Sequence, residues 1–243
     1  MHWYIKKNGV AQRYVQLKKD GTPSKRVLKK KALEDGACLG FSDQIEVLDS
    51  ASWRKAYFGN LGIKAGQLGA TEWQAKEIFE AMSNEAAEGG TKIHEAIENY
   101  LGTGTLPEEE SVKQACLSAE RAVKDLTGAD PSSGMSEVCF LTEDGEYKLA
   151  GTPDWTNNSW LLDFKGVMSD RAPRWKECAQ LAVYRRGLFL EGRCKEDASC
   201  ANIYIRQSDG SLYGITLWSG DQLDKGLMLF YLACDANKLI GEI

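Results

Sequence analysis

Asp154, Asp163 and Lys165 have the residue types and spacing for metal-assisted hydrolysis. Asp154 closes the run Ala150-Gly151-Thr152-Pro153-Asp154, and Asp163-Phe164-Lys165 follows after an Asn157-Asn158 turn. Side chains two apart on a strand share a face, so Asp163 and Lys165 project together while Phe164 turns toward the core. A hairpin about that turn would set Asp154 beside Asp163. Two carboxylates and an ammonium at the end of a sheet suit a divalent cation with an activated water, and oxygen donors favour Mg2+ or Mn2+. An isolated Asp-x-Lys is more often a solvated ion pair. The Pro-Asp before it, the hairpin spacing and the flanking elements give it weight here.

Those flanking elements carry further candidates. Thr71-Glu72-Trp73-Gln74 is a capping-box pattern. It predicts a helix through about Ala87, with Ile78, Phe79 and Met82 inward, ended by Gly89-Gly90. Thr91 then caps a second helix, Lys92 to Leu101. His94 and Glu98 are four apart and share one side of it. His94 is one of two histidines in the chain, and imidazole is a good ligand for Mn2+. Glu137, on an expected strand Glu137–Leu141, could join the acidic cluster or face solvent. A helix from about Arg174 to Leu190, with Pro173 in its first turn, puts Gln180 and Tyr184 on one side.

The remaining elements read as follows. Trp3–Ile5 and Tyr14–Leu17 form a hairpin about Asn8-Gly9. Ser42 to Phe58 is helical in part, and Gly59 to Gly69 is a loop. Residues 108–127 make an amphipathic helix, and Tyr147–Asp154 a strand. Ala201–Arg206 and Leu212–Trp218 are strands about Asp209-Gly210. Ser219 and Gln222 cap a last helix whose core face holds Leu227, Phe230, Leu232 and Leu239. The expected class is mixed α/β, with residues 1–36 a basic accessory hairpin and tail and 37–243 the main domain.

Composition excludes several classes. At 243 residues, with 43% hydrophobic and 27% charged side chains, the chain suits a globular domain with an appendage. No apolar run approaches a membrane span, and the N-terminus has no signal-peptide core. A cytoplasmic, membrane-free protein is the expectation. Seven scattered cysteines without a Cys-x-x-Cys pair argue against disulfides and against a zinc or iron–sulfur site. The net charge of −5 is uneven. Residues 6–31 hold ten Lys or Arg against one acid, Asp20, either a solvated segment or the contact for a polyanion.

The order helix, three-stranded meander, helix, strand, with Pro-Asp and then Asp-x-Lys, resembles the PD-(D/E)XK nuclease superfamily. Gly90–His94 with Glu98 is similar to the G-x-x-x-H…E helix of its RecB-like branch. Gly151–Asp154 is similar to the G-x-x-D strand, Asp163–Lys165 to the D-x-K strand, and Gln180–Tyr184 to the Q-x-x-x-Y helix. The match spans roughly residues 70–218 and leaves out the N-terminal region.

The resemblance implies a restriction-endonuclease-like core with extra helices and an N-terminal hairpin. It implies one or two Mg2+ or Mn2+ ions on His94, Asp154, Asp163 and the Phe164 carbonyl, with Glu137 as a further ligand, and no iron–sulfur cluster. Lys165, Asp163, Asp154 and Glu98 would be catalytic. Gln180, Tyr184, Arg174, Arg185 and Ser42 would contact DNA, the last through the partial signature Phe41-Ser42-Asp43. The implied activity is a metal-dependent exonuclease acting from DNA ends, single- or double-stranded, in phage or bacterial recombination or repair. An endonuclease of the same fold and a silent DNA-binding recombination module are the alternatives. A single-strand annealing or recombination protein and further copies of the chain are implied partners, in the host cytoplasm if phage-encoded.

Overall fold

The computed structural model describes residues 2–18, 20–24, 27–48 and 72–240. In chain order the elements are β1 (Trp3–Lys7), β2 (Val10–Arg13), α1 (Lys29–Glu34), β3 (Cys38–Leu39) and α2 (Phe41–Gln44), which runs into a 3-10 turn (Ile45–Leu48). Then come α3 (Glu72–Thr103), α4 (Glu110–Thr127), β4 (Met135–Ser136), β5 (Phe140–Asp144), β6 (Tyr147–Gly151), β7 (Trp155–Thr156) and β8 (Trp160–Val167). The chain closes with α5 (Trp175–Leu190), β9 (Ser199–Arg206), β10 (Leu212–Trp218) and α6 (Gly220–Ile240). The class is mixed α/β. The expected helix beyond Leu48, the glycine-marked loop, the Thr71 cap and the side chains of Ile78, Phe79 and Met82 lie outside what is described.

Strand alternation sorts the core into two layers. A five-stranded sheet of order β10-β9-β8-β7-β4 lies between α3–α4 on one face and α5–α6 on the other. Along β8, Leu162 and Phe164 pack with Ile93, Ile97 and Val123, whereas Leu161 packs with Leu181 and Leu188. Each such side chain, fully buried, contributes about 1.5–3 kcal/mol. β8 and β9 are parallel, so their link must cross over, and α5 is that crossover. The other pairings in this sheet are antiparallel.

Several expectations need correction. First, α3 runs straight through Gly89-Gly90. A Cβ on Gly166 would stand 3.1 Å from the Gly90 Cα, and one on Gly89 would stand 2.5 Å from the Gln207 Oε1. The glycines let the helix lie against the end of β8, and this packing offsets their helix cost of roughly 0.5–1 kcal/mol each. Second, the strand expected at Glu137–Leu141 is split. Met135–Ser136 pairs with β7, Glu137 takes φ 50°, and Phe140 opens a hairpin with β6. The strand expected through Asp154 also stops, at Gly151, because Pro153 has no N–H for a ladder.

Third, α6 buries Leu223, Phe230, Ala233 and Cys234, while Leu232 and Leu239 are exposed. Gly226 lies directly against Ala179 and fixes which side of α6 faces α5. Its Ser219–Gln222 capping box is present, with reciprocal bonds of 2.9 and 3.3 Å. Fourth, the N-terminal hairpin returns through Val10–Arg13 rather than Tyr14–Leu17. Its Asn8-Gly9 turn has positive φ at both residues, as a type I′ turn requires. β3 adds on the far side of β1, making a sheet of order β2-β1-β3. Pro173 precedes the N-cap Arg174 of α5 instead of entering its first turn.

Candidate metal centre and active-site cleft

Register lines four polar residues across the main sheet. Ser136 pairs with Trp155, and the Glu137 N–H donates to the Asp154 carbonyl at 3.3 Å. Trp155 pairs with Leu162, which places Asp154 opposite Asp163, and Asp163 pairs with Asn202. Glu137, Asp154, Asp163 and Asn202 thus form one row over β4, β7, β8 and β9. Neighbours in such a row lie close enough to interact directly.

The outer half of the row makes a donor cluster. Asp154 is fixed from two sides: its Oδ2 accepts the Phe164 N–H at 2.6 Å, and its Oδ1 lies 2.8 Å from His94 Nε2. The hydrogen bond to Asp154 pushes the His94 imidazole up to about 9, against its burial. Glu137 holds a left-handed backbone conformation that costs a non-glycine residue about 1–3 kcal/mol. Its Oε2 accepts from Arg13 Nη2 at 2.9 Å. Among the described residues its Oε1 is buried without a hydrogen-bond partner, 3.9 Å from His94 Nε2. Burial, and then the Asp154 charge, push the Glu137 carboxyl up to about 7. Donor atoms of His94, Glu137 and Asp154 all lie within 4.8 Å of one another.

These residues fit a divalent cation. One imidazole and two carboxylates suit a borderline-hard ion, and an orphaned buried carboxylate oxygen is an acceptor whose lone pairs are open to a cation. The Phe164 carbonyl leaves β8 on the same edge as its N–H, hence toward Asp154.

The inner half of the row is closed. Asp163 is 1% exposed. Its Oδ2 accepts from Lys165 Nζ at 2.7 Å and from Asn202 Nδ2 at 2.7 Å, and its Oδ1 lies 3.0 Å from Lys165 Nζ. Asn202 is held by Trp218, whose Nε1 donates to its Oδ1 at 2.7 Å. Burial pushes the Asp163 carboxyl up and the Lys165 ammonium opposes it. Lys165 also donates to Gln180 Oε1 at 3.2 Å, and Gln180 Nε2 to the Tyr184 hydroxyl at 2.8 Å. The Tyr184 ring occupies the space a side chain at Gly151 would need. A second cluster flanks Lys165, where Glu177 accepts from Arg171 at 2.6 Å and from the Tyr204 hydroxyl at 2.8 Å.

Ser42, His94, Glu98, Glu137, Asp154, Asp163, Phe164, Lys165, Gln180 and Tyr184 all line one open cleft of about 590 Å³. Asp163 belongs to that cleft but not to the donor cluster, because Lys165 and Asn202 occupy both its oxygens. Glu98 is exposed one turn along α3 from His94. Two expected DNA contacts are not brought in. Arg174 caps α5 at the surface, and Arg185 is turned toward α6, with its Nη2 3.2 Å from Asp224 Oδ1. Asn202 was legible as a lone amide in an apolar strand. Arg13 and Tyr4, which also line the cleft, had no local sequence signal.

No family model matches the chain, and no curated protein matches it. Several solved structures resemble the chain, among them the following two. A crystal structure of a "putative exonuclease" from Eubacterium rectale is 13% identical with a TM-score of 0.46, over 64% of this chain and 69% of that one. The crystal structure of SSO0001 is 16% identical with a TM-score of 0.34, over 84% and 83%. Both overlays are too loose to assign fold or activity.

Proposed function

We propose that the chain is a Mg2+- or Mn2+-dependent deoxyribonuclease of the RecB-like branch of the PD-(D/E)XK superfamily, acting as an exonuclease on linear DNA. The observation that carries this reading is the orphaned Oε1 of Glu137, held beside Asp154 and His94 on a strained backbone. A chain that bears this strain and leaves a carboxylate oxygen unpaired has a use for the oxygen. The nearby Asp163–Lys165 pair and the Gln180–Tyr184 bond supply the other half of a hydrolytic site.

A bound divalent cation supplies Lewis acidity, making water nucleophilic at neutral pH and offsetting charge on a phosphate. His94, Glu137, Asp154 and the Phe164 carbonyl would hold it. Asp163 keeps the Lys165 ammonium charged and aimed into the cleft. Lys165 then orients the attacking water or stabilises the extra negative charge of the transition state. Gln180 holds Lys165 from the α5 side, and Tyr184 holds Gln180. Glu98, which lines the cleft one turn from His94, would accept a proton from a nearby water.

A time course in Mg2+ with linear duplex, linear single-stranded and closed circular DNA tests the assignment, with Asp154→Asn as the blank. Progressive loss of linear DNA beside an intact circle is expected. Cleavage of the circle would make the protein an endonuclease. No cleavage of any form in Mg2+ or Mn2+, with binding retained, would make it a DNA-binding module.

A further inference from the structure

We propose that Arg13, on the N-terminal hairpin, is a substrate-phosphate clamp of this cleft. The inference rests on the nuclease reading above and adds a binding residue from outside the region that resembles the nuclease family. Among the described residues, the cleft lining holds six carboxylates and two permanent cations, Arg13 and Lys165. Such a lining repels a phosphodiester unless cationic groups meet it. The Lys165 ammonium is already bound to Asp163 and Gln180, and its side chain is 26% exposed. The Arg13 side chain is 53% exposed.

Arg13 is also pre-oriented. Its Nη2 is fixed on Glu137 Oε2 at 2.9 Å, and the Tyr4 hydroxyl lies beside its guanidinium. Tyr4 is itself buried and accepts from Thr152 Oγ1 at 3.2 Å, two residues from Asp154. The guanidinium is therefore tied to the same strand ends that carry the donor cluster. A guanidinium has five N–H donors in a planar fork, so its bonds to Glu137 and the Tyr4 hydroxyl still leave N–H groups for phosphate oxygens. β2 ends on this residue, which lines the cleft, and its neighbour Gln12 is exposed.

The test is fluorescence anisotropy of labelled DNA in Ca2+, over a series of salt concentrations, with wild type, Arg13→Ala and Arg13→Lys. Calorimetric Mn2+ titrations of the same proteins run in parallel. Loss of one charge-assisted phosphate contact predicts roughly tenfold weaker DNA binding for Arg13→Ala. It also predicts a salt slope shallower by about 0.7–0.9, and Mn2+ binding within a few-fold of wild type. Arg13→Lys should recover most of the slope. Unchanged affinity and slope for Arg13→Ala, with wild type binding DNA, would overturn the clamp and leave the nuclease reading standing. Retained DNA binding with lost Mn2+ binding would overturn it too, making Arg13 a positioning residue for Glu137. Failure of wild type to bind DNA at all would remove the nuclease reading and the clamp with it.

Discussion

Asn202→Ala should destabilise the protein by about 2.5–4 kcal/mol, a figure built from two bonds in the buried row. The amide donates to Asp163 at 2.7 Å and accepts from Trp218 at 2.7 Å. Its removal leaves the Asp163 Oδ2, at a site that is 1% exposed, with Lys165 alone and strands an indole N–H that is half-buried. A buried group left without its partner costs about 1–3 kcal/mol, more when charged. Loss of one hydrogen bond to the charged Asp163 costs about 1.5–3 kcal/mol, and Trp218 sits at the lower end of the unpartnered range, about 1 kcal/mol. Trp218→Phe strands only the Asn202 Oδ1 and should cost about 1–2 kcal/mol. Urea denaturation of both variants measures these values directly. A loss below about 0.5 kcal/mol for Asn202→Ala, the range of ordinary surface changes, would refute the claim that the amide holds the carboxylate.

Three further outcomes follow from other parts of the molecule. Lys165→Met should lower turnover by about 10²–10³-fold, as loss of one preorganised electrostatic group does, while calorimetric Mn2+ binding persists; unchanged turnover removes Lys165 from the chemistry. Gly166→Ala should cost about 1–3 kcal/mol in thermal or urea unfolding, because its methyl would press on the Gly90 backbone at 3.1 Å, and a neutral result would mean that α3 and β8 can separate freely. Asp144 takes bonds of 2.7 and 2.8 Å from Arg186 and a third from the Tyr231 hydroxyl. The Arg186 bonds hold its carboxyl below the usual range. Its contribution is therefore present above the unfolded pKa near 4 and lost as pH falls through the lower folded value. Asp144→Asn should flatten the acid limb of a stability–pH curve, and an unchanged limb would count against the pairing.

Much of this site was legible because it is local. Asp163 and Lys165 share a face through the two-residue strand period alone. The short Asn157-Asn158 turn fixes the register that sets Asp154 opposite Asp163. Helical spacing alone put Gln180 beside Tyr184, and His94 one turn from Glu98. The rest depends on contacts far apart in sequence. Nothing near Glu137 shows that its strand breaks there, since the break comes from β4 and β5 joining different sheets. Arg13 reaches Glu137 across more than a hundred residues. The Gly89-Gly90 pair reads as a helix stop until Gly166 is seen against it. Leu232 and Leu239 fit a helical core pattern, yet α5 packs on the neighbouring stripe of α6 beside Gly226.

The most direct test of the central claim is calorimetric titration of Mn2+ into the metal-free protein and into His94→Ala, Glu137→Gln and Asp154→Asn. The account predicts saturable binding by wild type and at least tenfold weaker binding by each variant, the scale on which even outer-shell changes act, with folding retained. Wild-type affinity in Glu137→Gln and Asp154→Asn, or no saturable binding by wild type, would contradict it.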